Sequence, residues 1–554
     1  VILSRSIVAV GTLALLAACQ TAPVREEART SNAYANFLVG QVANRRDDHQ
    51  SASDRYFNAL ERAPEDRAVV EGALSAALAT GDLGRAREIA RRARREPSAS
   101  VHLVRAAEAL QARNLARADA EIAGVEGDPA SELAAGMMLA WVRTGEGRVD
   151  DVLIDLAPLA SVRPYGGLFA YQQAMALDFA GRNDQALAAY MIADRSQVWL
   201  PGAIARHADL LARAGRRDEA AQILRATENR VGNPALAQAL ARLESGASPS
   251  AAPLTPAEGA AVGLEGLAAI FIQENDNTNG LITLSVALML DPNADTARLA
   301  FADAQSKLGH VDAARRTLAT VAPNSVYAPN ARVLDAWVLF RDGRRDEALT
   351  RVGEETGPRG RRAMADMYRS LDRWNDAEQL YNTLISENAR DWRLYFARGA
   401  ARDRQGRWGE AEADLRRALE LSPEQPEVAN YLGYSLVERG EKLDEALRLI
   451  RSALAQRPMS GAITDSLGWA YFRLGDYEQA VTYLERAVEL DPASPVIVDH
   501  LGDAYWRADR RIEARFQWQR AISLYPEGQG STEISAKLEG GLPDQPATRS
   551  ANRR

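Results

Sequence analysis

The sequence predicts an all-α protein: an α-solenoid (superhelix) in which one helix-turn-helix unit is used about fourteen times. Three observations carry this. Small residues, Gly or Ala, recur at a spacing of about 34 residues with large apolar residues at fixed offsets around them. Gly and Pro punctuate the same register, where helices must turn or stop. The chain has 554 residues, 46% of them hydrophobic, and a single cysteine, so its core holds itself without disulfides or a cysteine-built zinc site. With a net charge of -8 there is no general attraction for nucleic acid, and none is expected as a partner. The basic residues are almost all arginine, with Lys307, Lys442 and Lys537 the lysines.

In chain order, residues 1–18 place Arg5 ahead of an apolar run too short to span a bilayer, the pattern of a signal peptide. The run ends Leu16-Ala17-Ala18-Cys19 and resembles a bacterial lipobox, which implies a lipid-modified Cys19; an ordinary cysteine in a signal sequence is the alternative. Two or more acyl chains hold a protein on a membrane where one does not. Gln20, rather than Asp, follows; by resemblance to sorted lipoproteins this implies an outer-membrane lipid anchor on the periplasmic face. Polar residues 19–32 read as a lipidated flexible tether. No second long apolar run follows, so the lipid is the expected membrane contact.

The repeats fill residues 33–243 as a degenerate block and residues 260–526 as a second block. Between them, residues 244–259 (ESGASPSAAPLTPAEG) break the period and read as a Pro/Ser/Ala linker. The clearest copy, 461–492, carries Leu467-Gly468, Tyr471, Gly475, Tyr477, Ala480, Leu484, Ala487 and Pro492. The next, 495–526, carries Leu501-Gly502, Tyr505, Ala514, Trp518, Ala521 and Pro526; copies at 392–423 and 426–458 precede them, the latter with one extra residue in its turn. These offsets are those of tetratricopeptide repeats (TPR): a small residue on each of two antiparallel helices lets them approach closely. Weaker copies give about six units before the linker and about eight after it. Residues 527–542 read as a capping helix and 543–554 as a disordered tail.

No catalytic or metal motif accompanies the repeats. His49, His102, His207, His310 and His500 are not at metal-ligand spacing, and no HExxH, GxSxG, GxxxxGK[ST] or strand-borne GxGxxG occurs. We therefore expect no enzyme activity, cofactor or metal, and look to binding. In TPR arrays the first helix of each pair lines the concave face. Its inward offsets give Arg393, Phe396, Asp403 and Arg404, then Asn430 and Tyr434, then Asp465, Trp469, Phe472 and Arg473, then Asp499, Asp503, Trp506 and Arg507. Aromatic and Arg residues make interface anchors, which singles out Trp469, Phe472 and Trp506; the same rings fit packing between repeats equally well. Asp465 and Asp499 stand where a clamp for an acidic C-terminus needs Lys and Asn, so a basic or apolar extended segment is the expected ligand.

The blocks YLGYSLVERGEKLDEALRLI, DSLGWAYFRLGDYEQAVTYLERAVELDP and DHLGDAYWRADRRIEARFQWQRA resemble a family of proteobacterial TPR lipoproteins of the LbcA type, and more remotely NlpI. The resemblance is sharp over 392–526 and generic elsewhere. It implies an outer-membrane adaptor in the periplasm that holds a carboxyl-terminal processing protease and brings it substrates, often peptidoglycan hydrolases. The alternative on the same architecture is an assembly factor for secretion, pilus or exopolysaccharide export.

Overall fold

The computed structural model of the chain describes residues 21–46, 48–93, 97–162, 164–196, 198–247, 254–525 and 531–543. The expected signal peptide, Cys19 and nearly all of the expected C-terminal tail lie outside the described residues. Among the described residues there are thirty α-helices and no strand. Six pairs come first: α1 (Thr21–Asn44) with α2 (His49–Leu60), α3 (Arg67–Thr80) with α4 (Leu83–Arg92), and α5 (Ala99–Gln111) with α6 (Leu115–Ile122). Then follow α7 (Pro129–Gly145) with α8 (Val149–Leu156), α9 (Gly166–Phe179) with α10 (Asn183–Asp194), and α11 (Pro201–Arg213) with α12 (Arg217–Val231). The unpaired α13 (Pro234–Glu244) comes next.

Eight pairs follow: α14 (Pro256–Gln273) and α15 (Asn277–Leu290), α16 (Asp295–Lys307) and α17 (Val311–Ala319), α18 (Ala328–Arg341) and α19 (Arg345–Gly353), α20 (Pro358–Ser370) and α21 (Trp374–Glu387). The last four are α22 (Trp392–Arg404) and α23 (Trp408–Leu421), α24 (Pro426–Arg439) and α25 (Leu443–Gln456), α26 (Gly461–Leu474) and α27 (Tyr477–Leu490), α28 (Pro495–Arg507) and α29 (Arg511–Leu524). A lone α30 (Ser531–Gly540) ends the series. The repeat count read from the sequence is thus realised as an all-α TPR solenoid.

Each pair is closed by the same local chemistry. The small residue of the first helix meets the second helix at van der Waals limit: a Cβ on Gly433 would lie 2.7 Å from Ile450, and one on Gly468 2.6 Å from Leu484. The alanines answering from the second helices, Ala411, Ala446, Ala480 and Ala514, are wholly buried. The turn between the helices needs a left-handed residue, supplied by Gly81, Gly406 or Gly475 and elsewhere by Asn275 or Asp509. Most second helices for which a cap contact is seen start in one of two ways. Asp82, Asn114, Asp276 and Asp476 accept the backbone N–H three residues on. Arg216, Arg344, Arg373 and Arg510 reach instead to the acid three residues on, at 2.6 to 3.0 Å.

The chain forms two compact units, residues 1–360 and 361–554. This division does not follow the expected linker. Residues 248–253 lie outside the described residues, but the helices on either side of them belong to one unit. In that unit the hairpin α14–α15 returns onto the first helices α3, α5, α7 and α9. Gly259, Gly263 and Gly266, one turn or two apart on α14, make the approach possible. A Cβ on Gly259 would enter the Trp141 indole, one on Gly263 would lie 3.1 Å from Gln172, and one on Gly266 2.6 Å from Leu168. Trp141 Nε1 donates to Gln172 Oε1 at 2.7 Å, and Ser285 Oγ on α15 donates to the Leu78 carbonyl at 2.6 Å. Residues on both sides of the break share one apolar core, from Leu74 and Met138 to Leu264 and Met289.

Two further boundaries differ from the sequence reading. The stretch taken as a flexible tether is helical from Thr21, consistent with the Arg, Glu and Ala content of that stretch. The capping helix, described over Ser531–Gly540, ends two residues before the expected 542, and residues 527–530 lie outside the described residues. Among the described residues no helix is long and apolar enough to cross a membrane.

A bulky side chain at Gly259 must push α14 out of its seat. Gly259→Leu is expected to destabilise the 1–360 unit by about 1–3 kcal/mol and to speed amide exchange across 256–290. Unchanged protection there would refute the seating.

Candidate protein-binding groove

The 361–554 unit places its first helices α22, α24, α26 and α28 side by side. Helix α24 packs on α26 and α26 on α28, and α22 reaches α24 through hydrogen bonds, whereas successive second helices do not approach comparably, so the stack curves with the first helices inside. Every groove residue expected from the sequence in this unit sits on those inner helices.

Charges along the inner face are paired one repeat apart. Asp403 on α22 accepts from Arg439 on α24 at 2.5 Å and from the Tyr431 hydroxyl at 3.1 Å. Glu438 on α24 pairs with Arg473 on α26 at 3.3 Å and accepts the Trp469 indole N–H. Asp465 on α26 faces His500 Nδ1 on α28 at 2.9 Å. Asp499 and Asp503 on α28 hold Lys537 Nζ on α30 at 2.8 to 2.9 Å. The 1–360 unit repeats the motif where Asp178 on α9 meets Arg213 on α11 at 3.1 Å. Asp465 and Asp499, from which a basic or apolar extended ligand is expected, are already answered by cations within the chain. Burial works against charge on His500, but the carboxylates of Asp465, Asp503 and Asp499 outweigh it and hold the imidazole pKa above the ordinary histidine value. Burial likewise opposes charge on Lys537, and Asp503 and Asp499 overcome it, raising its pKa.

The aromatic residues divide. Trp469 lies between Phe472, at 4.6 Å between ring centroids, and His500, at 4.1 Å, both nearly parallel to it. Phe472 is buried. It is packing, whereas Trp469 keeps part of its ring accessible. Trp506 tilts against the fully buried Trp518, whose Nε1 donates to Asp503 at 2.9 Å. The segment after α30 covers it: a Cβ on Gly541 would enter the Trp506 ring, and Arg507 donates to the Pro543 carbonyl at 2.6 Å. At the other end Phe396 meets Tyr431 edge-on at 5.7 Å, the Arg404 guanidinium lies 5.5 Å from the Trp374 ring centroid, and that of Arg393 4.9 Å from Trp392.

The middle of the groove is the part left open. Asn430 is half-buried, and its Oδ1 is buried without a hydrogen-bond partner. Tyr434, one helical turn on, is half-buried, with its hydroxyl pushed up to about 12 by burial and by the nearby Glu438 and Asp465 carboxylates. With Trp469 and the exposed Arg473 these make a patch of one acceptor, one hydroxyl, an indole and a guanidinium. The structure thus gathers Asn430, Tyr434, Trp469 and Arg473. It assigns Phe472 and Asp465 to packing between repeats, closes Asp499, Asp503, Trp506 and Arg507 under the C-terminal segment, and leaves Arg393, Phe396 and Arg404 apart. His500, Glu438, Arg439 and Lys537 were not singled out by the offsets; opposite charges separated by 35, 35, 36 and 38 residues are the signal that finds them. Among the described residues no cluster of three or more His, Cys, Asp or Glu could hold a metal.

Comparison with known proteins agrees with this class. Residues 362–426 and 432–495 match the tetratricopeptide repeat family, within the unit whose groove is described above. A TPR repeat-containing protein of Pseudomonas aeruginosa is 28% identical over 174 residues, which is 30% of this chain and 29% of that protein. Over residues 362–495 the chain carries tetratricopeptide repeats, and it spans about three-tenths of the length of that Pseudomonas relative. Among solved structures it is similar to a tetratricopeptide repeat protein from Parabacteroides merdae (17% identity, 44% of this chain, 97% of that one, TM-score 0.36). It is also similar to PilW, a type IV pilus biogenesis factor (17% identity, 33% of this chain, 92% of that one, TM-score 0.30).

The sign of the His500 coupling is fixed. A raised folded pKa gives stabilisation that is full below the unfolded value of about 6.5 and is lost as pH rises through the folded value. Urea midpoints of the wild type relative to Asp465→Asn should therefore converge on going from pH 6 to pH 9. A gap that stays constant with pH would remove the pair from the stability of this unit.

Proposed function

We propose that the chain is a non-enzymatic scaffold that docks protein partners in the groove of the 361–554 unit, on Asn430, Tyr434, Trp469 and Arg473. TPR repeats imply protein partners in general. The observation that carries the location is the contrast between the two units. Inner helices α3, α5, α7 and α9 of the first are covered by the hairpin α14–α15, whereas on the inner face of the second the buried Oδ1 of Asn430 has no hydrogen-bond partner. Leaving such an acceptor unpaired costs roughly 1–3 kcal/mol, and an N–H donor from a segment crossing the groove removes that cost. Trp469 beside it supplies apolar area with a rigid ring.

In the finer reading, Cys19 bears the lipid and holds the scaffold at the periplasmic face of the outer membrane. The partner is a carboxyl-terminal processing protease with its peptidoglycan-hydrolase substrate. The lipobox pattern and the resemblance over 392–526 support this. A surface anchor and a docking groove on one chain raise the local concentration of partner and substrate at the envelope.

Affinity capture from detergent-solubilised envelopes should recover a processing protease or a cell-wall hydrolase with the wild type. It should recover at least about tenfold less, about 1.4 kcal/mol, with Trp469→Ala or Asn430→Leu at unchanged melting temperature. Equal recovery would remove the groove assignment, and recovery of export or pilus components alone would replace the protease adaptor by an assembly factor. Cys19→Ser should abolish labelling by a fatty-acid probe; persistent label would disprove the anchor.

A further inference from the structure

The closed end of the groove carries more information than a cap requires. Helix α30 stands where the first helix of one further pair would stand, and Lys537 answers Asp499 and Asp503 as His500 answers Asp465 one repeat earlier. All four carboxylate oxygens lie within 2.9 Å of the one ammonium, a cradle that specifies a lysine-type point charge rather than a planar guanidinium. Ile534, one turn before Lys537, is buried, Leu538 and Leu542 pack on the same cluster, and the Trp506 ring admits only a residue without a side chain at position 541. The seat therefore reads a pattern: apolar, three on a lysine then an apolar residue, four on from the lysine a glycine then an apolar residue.

The occupant is weakly held compared with the other internal helix. Every other first helix in this unit is backed by its own second helix, and among the described residues α30 has none. It is ten residues long, too short to be helical by itself, so its helicity depends on the seat. Among its described residues Ile534 is the one buried apolar side chain, whereas α14 buries ten residues in its own seat.

We propose that Asp499, Asp503 and Trp506 form a recognition site for a lysine-bearing amphipathic helix of a partner protein, and that α30 is the built-in occupant such a helix displaces. The proposal deepens the docking function assigned to the 361–554 unit and rests on it, but uses a different part of the groove.

The test uses the full-length chain and a fluorescein-labelled peptide of residues 529–545 as probe. Lys537→Glu places a carboxylate against two others, and Ile534→Asp removes the apolar anchor; each releases α30 and leaves the seat intact. Both released chains should bind the probe at least tenfold more tightly than the wild type does, measured by anisotropy. The probe carrying Lys537→Glu should bind at least tenfold more weakly, and Asp503→Asn added to a released chain should weaken binding of the unaltered probe.

Absence of probe binding to both released chains would overturn the proposal, as would equal binding of the lysine and glutamate probes. Loss of cooperative unfolding in both released chains would overturn it too, because an occupant the fold cannot lose cannot be displaced. A tail-exchanged dimer of the wild type would replace the partner helix by a second copy and likewise refute it. Failure here leaves capture through Asn430 and Trp469 unaffected, while failure of that capture with probe binding retained would count against the wider docking site alone.

Discussion

Two helix backbones in each repeat lie too close for side chains on both sides of the contact, and the structure rests on this constraint. Gly433 and Gly468 sit where a Cβ would fall within 2.7 Å of the facing side chain, and the alanines that answer them have no exposed surface. Close approach forces large residues outward around the contact, where they fill the space between one pair and the next: Leu415, Leu436 and Ile450 in one cluster, Leu484, Leu501 and Trp518 in the next. Since interiors pack at crystal density, a shift of one methyl group at the contact is transmitted to both neighbouring pairs. The repeat is thus a consequence of the contact, and the period of the sequence is the period of the small residues.

The same constraint explains why the first unit is not an open array. Helix α14 carries Gly259, Gly263 and Gly266 on one face, so it approaches the inner helices of the earlier repeats as closely as paired helices approach each other. A helix with ordinary side chains at those positions would be held off by Trp141 and Leu168. Three glycines in a helix cost helix propensity, about 1 kcal/mol each against alanine, and the buried area gained along α14 and α15 offsets it. What a TPR array ordinarily offers to a partner is here used to complete a core.

This separates what could be read in the sequence from what could not. Helix pairs, their number and the turn residues were legible because they depend on contacts within 34 residues, and periodicity reports such contacts directly. The return of α14–α15 depends on contacts such as Ser285 with Leu78, 207 residues apart, which periodicity does not report. The Pro/Ser/Ala break was visible, but a break in the period is equally compatible with separate blocks and with a chain that folds back. In the second unit, offsets within one repeat placed the expected residues on the inner helices, Asn430 and Trp469 among them. They did not reveal that Asp465 and Asp499 are met by His500 and Lys537, because that depends on the next repeat. The sequence does contain that information as pairs of opposite charge about one repeat apart.

That charge ladder also decides what kind of recognition the groove can perform. Each inner acid is matched by a cation of the following first helix, Asp403 by Arg439, Glu438 by Arg473, Asp465 by His500 and Asp499 by Lys537. The inner face is consequently neutralised in place. A ligand that brought only charge would have to break an existing pair and leave its partner behind, a loss that exceeds the gain when either group is buried. A ligand that carries its own substitute cation meets no such obstacle, because it exchanges one pair for an equivalent one. Among the described residues the ladder has one rung at which the cation comes from an element without a second helix behind it, and that rung is Lys537. The proposed charge exchange is therefore confined to the C-terminal end of the array, while the proposed docking patch in the middle, where Asn430 Oδ1 has no hydrogen-bond partner and Trp469 is half-buried, would select by hydrogen bonding and shape.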